Sequence, residues 1–136
     1  MISIVARAAG VEEHPPLLLV GIAESEDGGG RAFHFQCDLR RNEYEEGGNW
    51  PEGESYCVSN EAGLTKFGCV REIEARGNLI KVVFTSEAAR DLRLGDSEYE
   101  FEIVGEEVDM AEILLGLRRI LTCGRPEYHP RFSGFG

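Results

Sequence analysis

Basic charge is what this sequence has least of. Its 14 lysines and arginines stand against 25 aspartates and glutamates, a net −11 with neutral histidines. A chain so poor in cations is not built to neutralise nucleic-acid phosphates over a broad face. It suits a dispersed protein, or one that meets basic partners. Long apolar runs are missing as well. The longest, Leu17 to Ala23, is interrupted by Gly21 and falls far short of the about 20 residues a bilayer span needs. The opening Met1-Ile2-Ser3-Ile4-Val5-Ala6-Arg7 carries no basic stretch followed by an apolar leader segment. A cytoplasmic location with no membrane partner and no nucleic-acid partner is therefore expected.

Metal-binding spacing is absent too. Cys37, Cys57, Cys69 and Cys123 form no C-x-x-C or C-x-x-H, whereas closed zinc sites pair their ligands at short spacing. Cys37, Cys57 and Cys69 sit among Phe, Tyr and Val, where cysteine acts as a small hydrophobe, so buried free thiols are expected. The run Gly28-Gly29-Gly30 lacks a following Lys-Ser or Lys-Thr and opens onto a strand, which makes it a hairpin turn and not a phosphate cradle. Ser133 lacks a strand-to-helix elbow. His34 and Cys37, three apart on one strand, point to opposite faces. No catalytic residue, metal or cofactor is expected.

What remains is an ordinary globular composition, 42% hydrophobic, in 136 residues. That length suits one domain over 1–136, with an exposed loop at 40–54 and a tail at 124–136. Met1 to Ala8 reads as a first strand, broken later by His14-Pro15-Pro16. Leu17 to Glu24 does not alternate and reads as a strand buried on both faces. Phe33, Phe35 and Cys37 alternate with polar residues, which predicts a hairpin with the preceding strand. Ser55 to Val58, Thr65 to Ala75 and Leu79 to Phe84 continue a meander through turns at Asn60–Gly63 and Arg76–Asn78. Thr85-Ser86-Glu87 starts a short helix. Ser97 to Val104 alternates strictly, with Glu98, Glu100 and Glu102 on the wet face. Met110, Ile113, Leu114, Leu117, Ile120 and Leu121 form one helical stripe. The pattern predicts an α+β fold: a single antiparallel meander-rich sheet of about six to seven strands, a short helix, and a C-terminal helix packed on one face.

Acid is segregated along the chain. Residues 96–112 hold eight acids and no base, whereas 113–136 are net +3. On the strand Glu98, Glu100 and Glu102 stand roughly 6.5–7 Å apart. This row reads as a solvated face, as a docking stripe for a basic partner, or as a catalytic pair, for which a desolvated acid is needed. The loop at 40–54 combines Glu43, Glu45 and Glu46 with Tyr44 and Trp50, aromatic contact area beside steering charge. Candidate partner-binding residues are therefore Glu98, Glu100, Glu102, Glu43, Glu45, Glu46 and Trp50.

The segments Ser55 to Val58 (SYCV), Gly63 to Val70 (GLTKFGCV) and Leu79 to Leu94 (LIKVVFTSEAARDLRL), with Gly21 to Gly28 and Ile113 to Leu121, resemble immunity-protein family ten of bacterial polymorphic toxin systems. The resemblance covers roughly residues 17–122 and carries no catalytic residues. It implies a non-enzymatic cytoplasmic protein that binds and neutralises a cognate toxin domain. The acidic block at 96–112 and the acidic loop suit a toxin with a basic, nucleic-acid-attacking cleft, which they would fill. The residues alone leave two alternatives open: a small ligand-binding or enzymatic domain with a sheet–helix cleft, and a homo-oligomeric interaction module. Monomer and homodimer both remain open.

Overall fold

The computed structural model describes residues 1–27, 29–39 and 55–135. Among the described residues ten strands form two five-stranded sheets, not one sheet of six or seven. The first sheet has the order β1 (Ile2–Ala6), β9 (Glu98–Ile103), β8 (Leu79–Phe84), β7 (Val70–Arg76), β10 (Arg131–Ser133). The second runs in chain order: β2 (Ala8–His14), β3 (Leu17–Ala23), β4 (Ala32–Asp38), β5 (Cys57–Asn60), β6 (Thr65–Phe67). The second sheet is the predicted meander, and β7-β8-β9 is another. The first sheet is not wholly antiparallel, because β1 joins β9 and β10 joins β7 in parallel.

Two handovers account for the difference. The opening extended segment does not end at Ala8. It bends at Arg7 and continues to His14, so that β1 pairs in one sheet and β2 in the other. The segment predicted as one strand from Thr65 to Ala75 divides at Gly68, whose φ of 57° an L side chain rarely adopts. A Cβ at Gly68 would also run into the Tyr128 ring and Ser55 Oγ. The crossing is further held by Tyr56, whose hydroxyl accepts from the Val70 N–H at 3.0 Å and donates to the Tyr128 carbonyl at 2.8 Å.

The sheets meet through aromatic rings. Phe33 of β4 lies 5.6 Å from Phe84, 5.1 Å from Tyr99 and 5.5 Å from Phe101, all on the first sheet. Such offset and edge-to-face pairs add about 0.5–1.5 kcal/mol each beyond area burial. The rest of the second sheet's inner face is covered by α2 (Met110–Leu121), which buries Ile113, Leu117, Ile120 and Leu121. Gly116 lets this helix close on the sheet, since a Cβ there would press on Val20 and Val11. Asp109 caps the helix, its Oδ1 accepting from the Glu112 N–H at 3.2 Å. The short helix α1 (Ser86–Asp91) is capped by Thr85, as its sequence predicts.

Burial of β3 is one-sided, contrary to the reading of its unbroken apolar run. Leu18, Val20 and Ile22 are buried, while Leu17 is 40% exposed, because α2 and the first sheet cover only one face. The tail docks on the body. A 3-10 turn at Pro126–Tyr128 leads into β10, and Phe132 stacks edge-on against Phe135 at 5.1 Å. All four cysteines are free thiols, with Cys37, Cys69 and Cys123 buried. Burial pushes the Cys69 thiol up to about 12. No helix among the described residues is long and apolar enough to cross a membrane.

Candidate functional site: the outer face of the first sheet

The alternation of β9 does two jobs. Tyr99, Phe101 and Ile103 point into the core, which commits Glu98, Glu100 and Glu102 to the outer face. Strand register then decides their company. On one side Glu100 stands opposite Ser3 and Glu102 opposite Val5 of β1. On the other, Glu100 stands opposite Lys81 of β8, Glu102 opposite Leu79 and Glu98 opposite Val83. One strand further, Glu74 of β7 is opposite Lys81, Glu72 opposite Val83 and Arg76 opposite Leu79. Last, β10 sets Arg131 opposite Glu72. The outer face thus carries Glu72, Glu74, Glu98, Glu100 and Glu102 around a central Lys81, with Arg76 and Arg131 toward its margins.

Ion pairing here is loose at the centre. Lys81 Nζ is 4.0 Å from Glu98 Oε2, with both side chains near 40% exposed. Exposed pairs of this kind contribute about 0–1 kcal/mol, so the pair leaves the face free to take other partners. Arg131 and Glu72 form an ion pair across the β10–β7 edge. Lys81 lines two shallow depressions. One, of about 320 Å³, includes Glu72, Glu74, Val83, Arg131 and Phe132. The other, of about 260 Å³, includes Met1, Glu74, Arg76, Leu79 and Glu100. Such relief suits the side chains of a docking protein surface: cations over the glutamates, and an acid over Lys81.

The predicted acidic block is divided by the fold. Of its eight acids only Glu98, Glu100 and Glu102 stand on this face. Asp96 is held by the chain's amino group at 2.6 Å, and Asp109 is spent on the α2 cap. Glu43, Glu45, Glu46 and Trp50 lie outside the described residues. Sequence reading missed Glu72, Glu74 and Lys81. The signal for the two glutamates was present, since they alternate with Ile73 and Ala75 as the β9 glutamates alternate with Tyr99 and Phe101. Their convergence with Lys81 depends on register, which local pattern does not carry.

The sheet–helix space offered by the ligand-binding alternative is filled. Ile113, Leu117, Ile120 and Leu121 are each no more than 2% exposed. His34 lies on the opposite face of the second sheet, against Gly21. Among the described residues no group of three or more His, Cys, Asp and Glu side chains is arranged to hold a metal ion.

A family model described as Immunity protein 10 matches residues 5–111. The match runs from β1 into the start of α2, so most of that helix and β10 lie beyond it. No curated protein and no solved structure matches the chain.

Proposed function

The chain belongs to the immunity protein 10 family, and from that premise we propose that it neutralises a protein toxin domain by stoichiometric contact, without chemistry of its own. The contact surface is the outer face of the first sheet, centred on Glu98, Glu100 and Glu102. The observation that carries this choice is the register that gathers five glutamates from two strands onto one open face around Lys81. The partner is a toxin domain with a basic surface, as a nucleic-acid-attacking domain would present. The protein acts in the cytoplasm of the cell that it protects.

Physically, the acids steer and the sheet blocks. Complementary charge raises association toward about 10⁸–10⁹ M⁻¹s⁻¹ at low salt, and the gain falls as salt screens it. A five-stranded face is a rigid platform, so little ordering entropy is lost on docking. The test replaces Glu98, Glu100 and Glu102 together by lysine. These side chains lie outside the core, so the fold is retained. Association with the cognate toxin domain should slow at least about tenfold at low salt and lose most of its salt dependence. An unchanged rate and salt slope would remove this face from the mechanism and leave the family assignment standing.

A further inference from the structure

We propose that a second copy of this chain pairs with the first along β2, antiparallel about a two-fold axis at Gly10, joining their second sheets into one continuous sheet. This goes beyond the toxin-binding reading and does not depend on it, because the acidic face belongs to the other sheet.

The strand β2 is an edge: among the described residues nothing pairs with its far side. The phase of its backbone follows from β3. The Leu39 N–H donates to Pro16 at 2.8 Å, so even-numbered residues along β3 bond toward β4; past the strand's end Glu24 divides, its N–H going to Arg31 at 3.0 Å and its carbonyl accepting from Arg7 at 3.3 Å. Odd-numbered ones bond toward β2 and meet Ala8, Gly10, Glu12 and His14 by register. Ala9, Val11 and Glu13 therefore turn their N–H and C=O groups outward. Natural edges are commonly blunted by charged side chains, proline or a bulge; Ala8–His14 has no proline or bulge, and its two acids, Glu12 and Glu13, are confined to its end, leaving Ala8–Val11 uncharged.

Gly10 is otherwise unexplained. A Cβ there would meet nothing within 4 Å, and its φ is not positive, so neither packing nor backbone geometry within the chain calls for glycine. A glycine inside a strand weakens it, and such glycines mark places where another backbone comes close. Centring the axis on Gly10 sets the two glycines face to face in a closely spaced, non-hydrogen-bonded pair. The same register sets Ala9 opposite Val11 of the other copy and brings Arg7, at the bend just before β2, near its Glu13. Shifting the axis to Glu12 would instead set like charges opposite each other.

Charge and shape beyond the backbone agree. Arg7 has no ion pair among the described residues, and it lines an open cavity of about 700 Å³ with Glu26, Glu106 and Glu107. An incoming Glu13 arrives coupled to its own Arg119, at 3.1 Å, so an acid reaches Arg7 and a cation reaches those glutamates. On α2, Glu112, Leu115 and Arg119 share one stripe, and the Arg119–Glu13 pair places that stripe above the β2 edge. Leu115 is 61% exposed there. The two-fold runs the two helices antiparallel on the same side of the sheet, turning Leu115 toward its mate and Glu112 toward the other Arg119.

The experiment is sedimentation equilibrium of the full chain at tens of micromolar. The expected mass is twice 15.1 kDa, and a mass of 15.1 kDa throughout overturns the proposal. Gly10→Glu, which enters open space in the single chain, should return the mass to that of one chain with an unchanged circular dichroism spectrum. Arg7→Glu should weaken pairing by about tenfold, and adding Glu13→Arg should restore it. A dimer that survives both Gly10→Glu and Arg7→Glu overturns β2 as the interface. Failure of the double exchange to regain what Arg7→Glu loses overturns the register.

Discussion

Phe33 is the ring on which the two-sheet architecture turns, and Phe33→Ala measures how much the sheets gain from meeting there. The side chain is 2% exposed and touches three rings of the opposite sheet, Phe84, Tyr99 and Phe101. Its burial accounts for about 1.5–3 kcal/mol. The three ring pairs add about 0.5–1.5 kcal/mol each, some of which neighbouring side chains regain by relaxing into the cavity. The expected cost is therefore about 4–5 kcal/mol, near the top of the range for Phe→Ala. A domain of this size has about 5–15 kcal/mol in total, so the loss takes between about a quarter and all of it. Urea unfolding should show a lower midpoint with an unchanged slope, and Tm should fall by roughly 12–20 °C. Phe132→Ala is the control, its ring only part-buried at the margin of the core, near Phe135 and under Arg118 at 5.5 Å, with no ring of the opposite sheet against it among the described residues. It should cost less than about 1.5 kcal/mol. A loss at Phe33 no larger than that at Phe132 would refute packing of the sheets around this ring.

Tyr56→Phe should cost about 1–3 kcal/mol in the same urea assay, because the Val70 N–H and the Tyr128 carbonyl lose their buried partner while ring volume is kept. Lys66, 2.9 Å away, and then Arg90 hold the Asp91 carboxyl below its ordinary 3.8. A depressed folded value stabilises above the unfolded one, and that contribution is lost as pH falls through the folded value. Lys66→Ala should therefore move the Asp91 titration upward in an NMR pH series and flatten the acid limb of Tm against pH. At this exposed site the effect on stability is small.

Local pattern was sufficient where an element's period reports its own environment. The β9 alternation and the α2 stripe lie where Glu98–Ile103 and Met110–Leu121 predict them. It was insufficient where a strand changes sheets. Ile2 to His14 stays extended through Arg7, and nothing in the residue types tells which partner each half will take. Gly68 carried a usable sign, a glycine inside a strand pattern, but its crossing is fixed by Tyr128, sixty positions along the chain. The same reason hid Lys81 from the acidic face, since only the register of β8 with β9 brings it opposite Glu100. One-sided burial of β3 was invisible because Leu17 and Leu19 are as apolar as the residues that α2 covers.

The central claim is that this chain silences a toxin by occupying it. Titration calorimetry of the purified chain against its proposed cognate toxin domain tests that claim most directly. The account predicts saturable binding with one toxin domain per chain, and loss of the toxin's activity in step with occupancy. Absence of heat and of inhibition with an active toxin domain would contradict it.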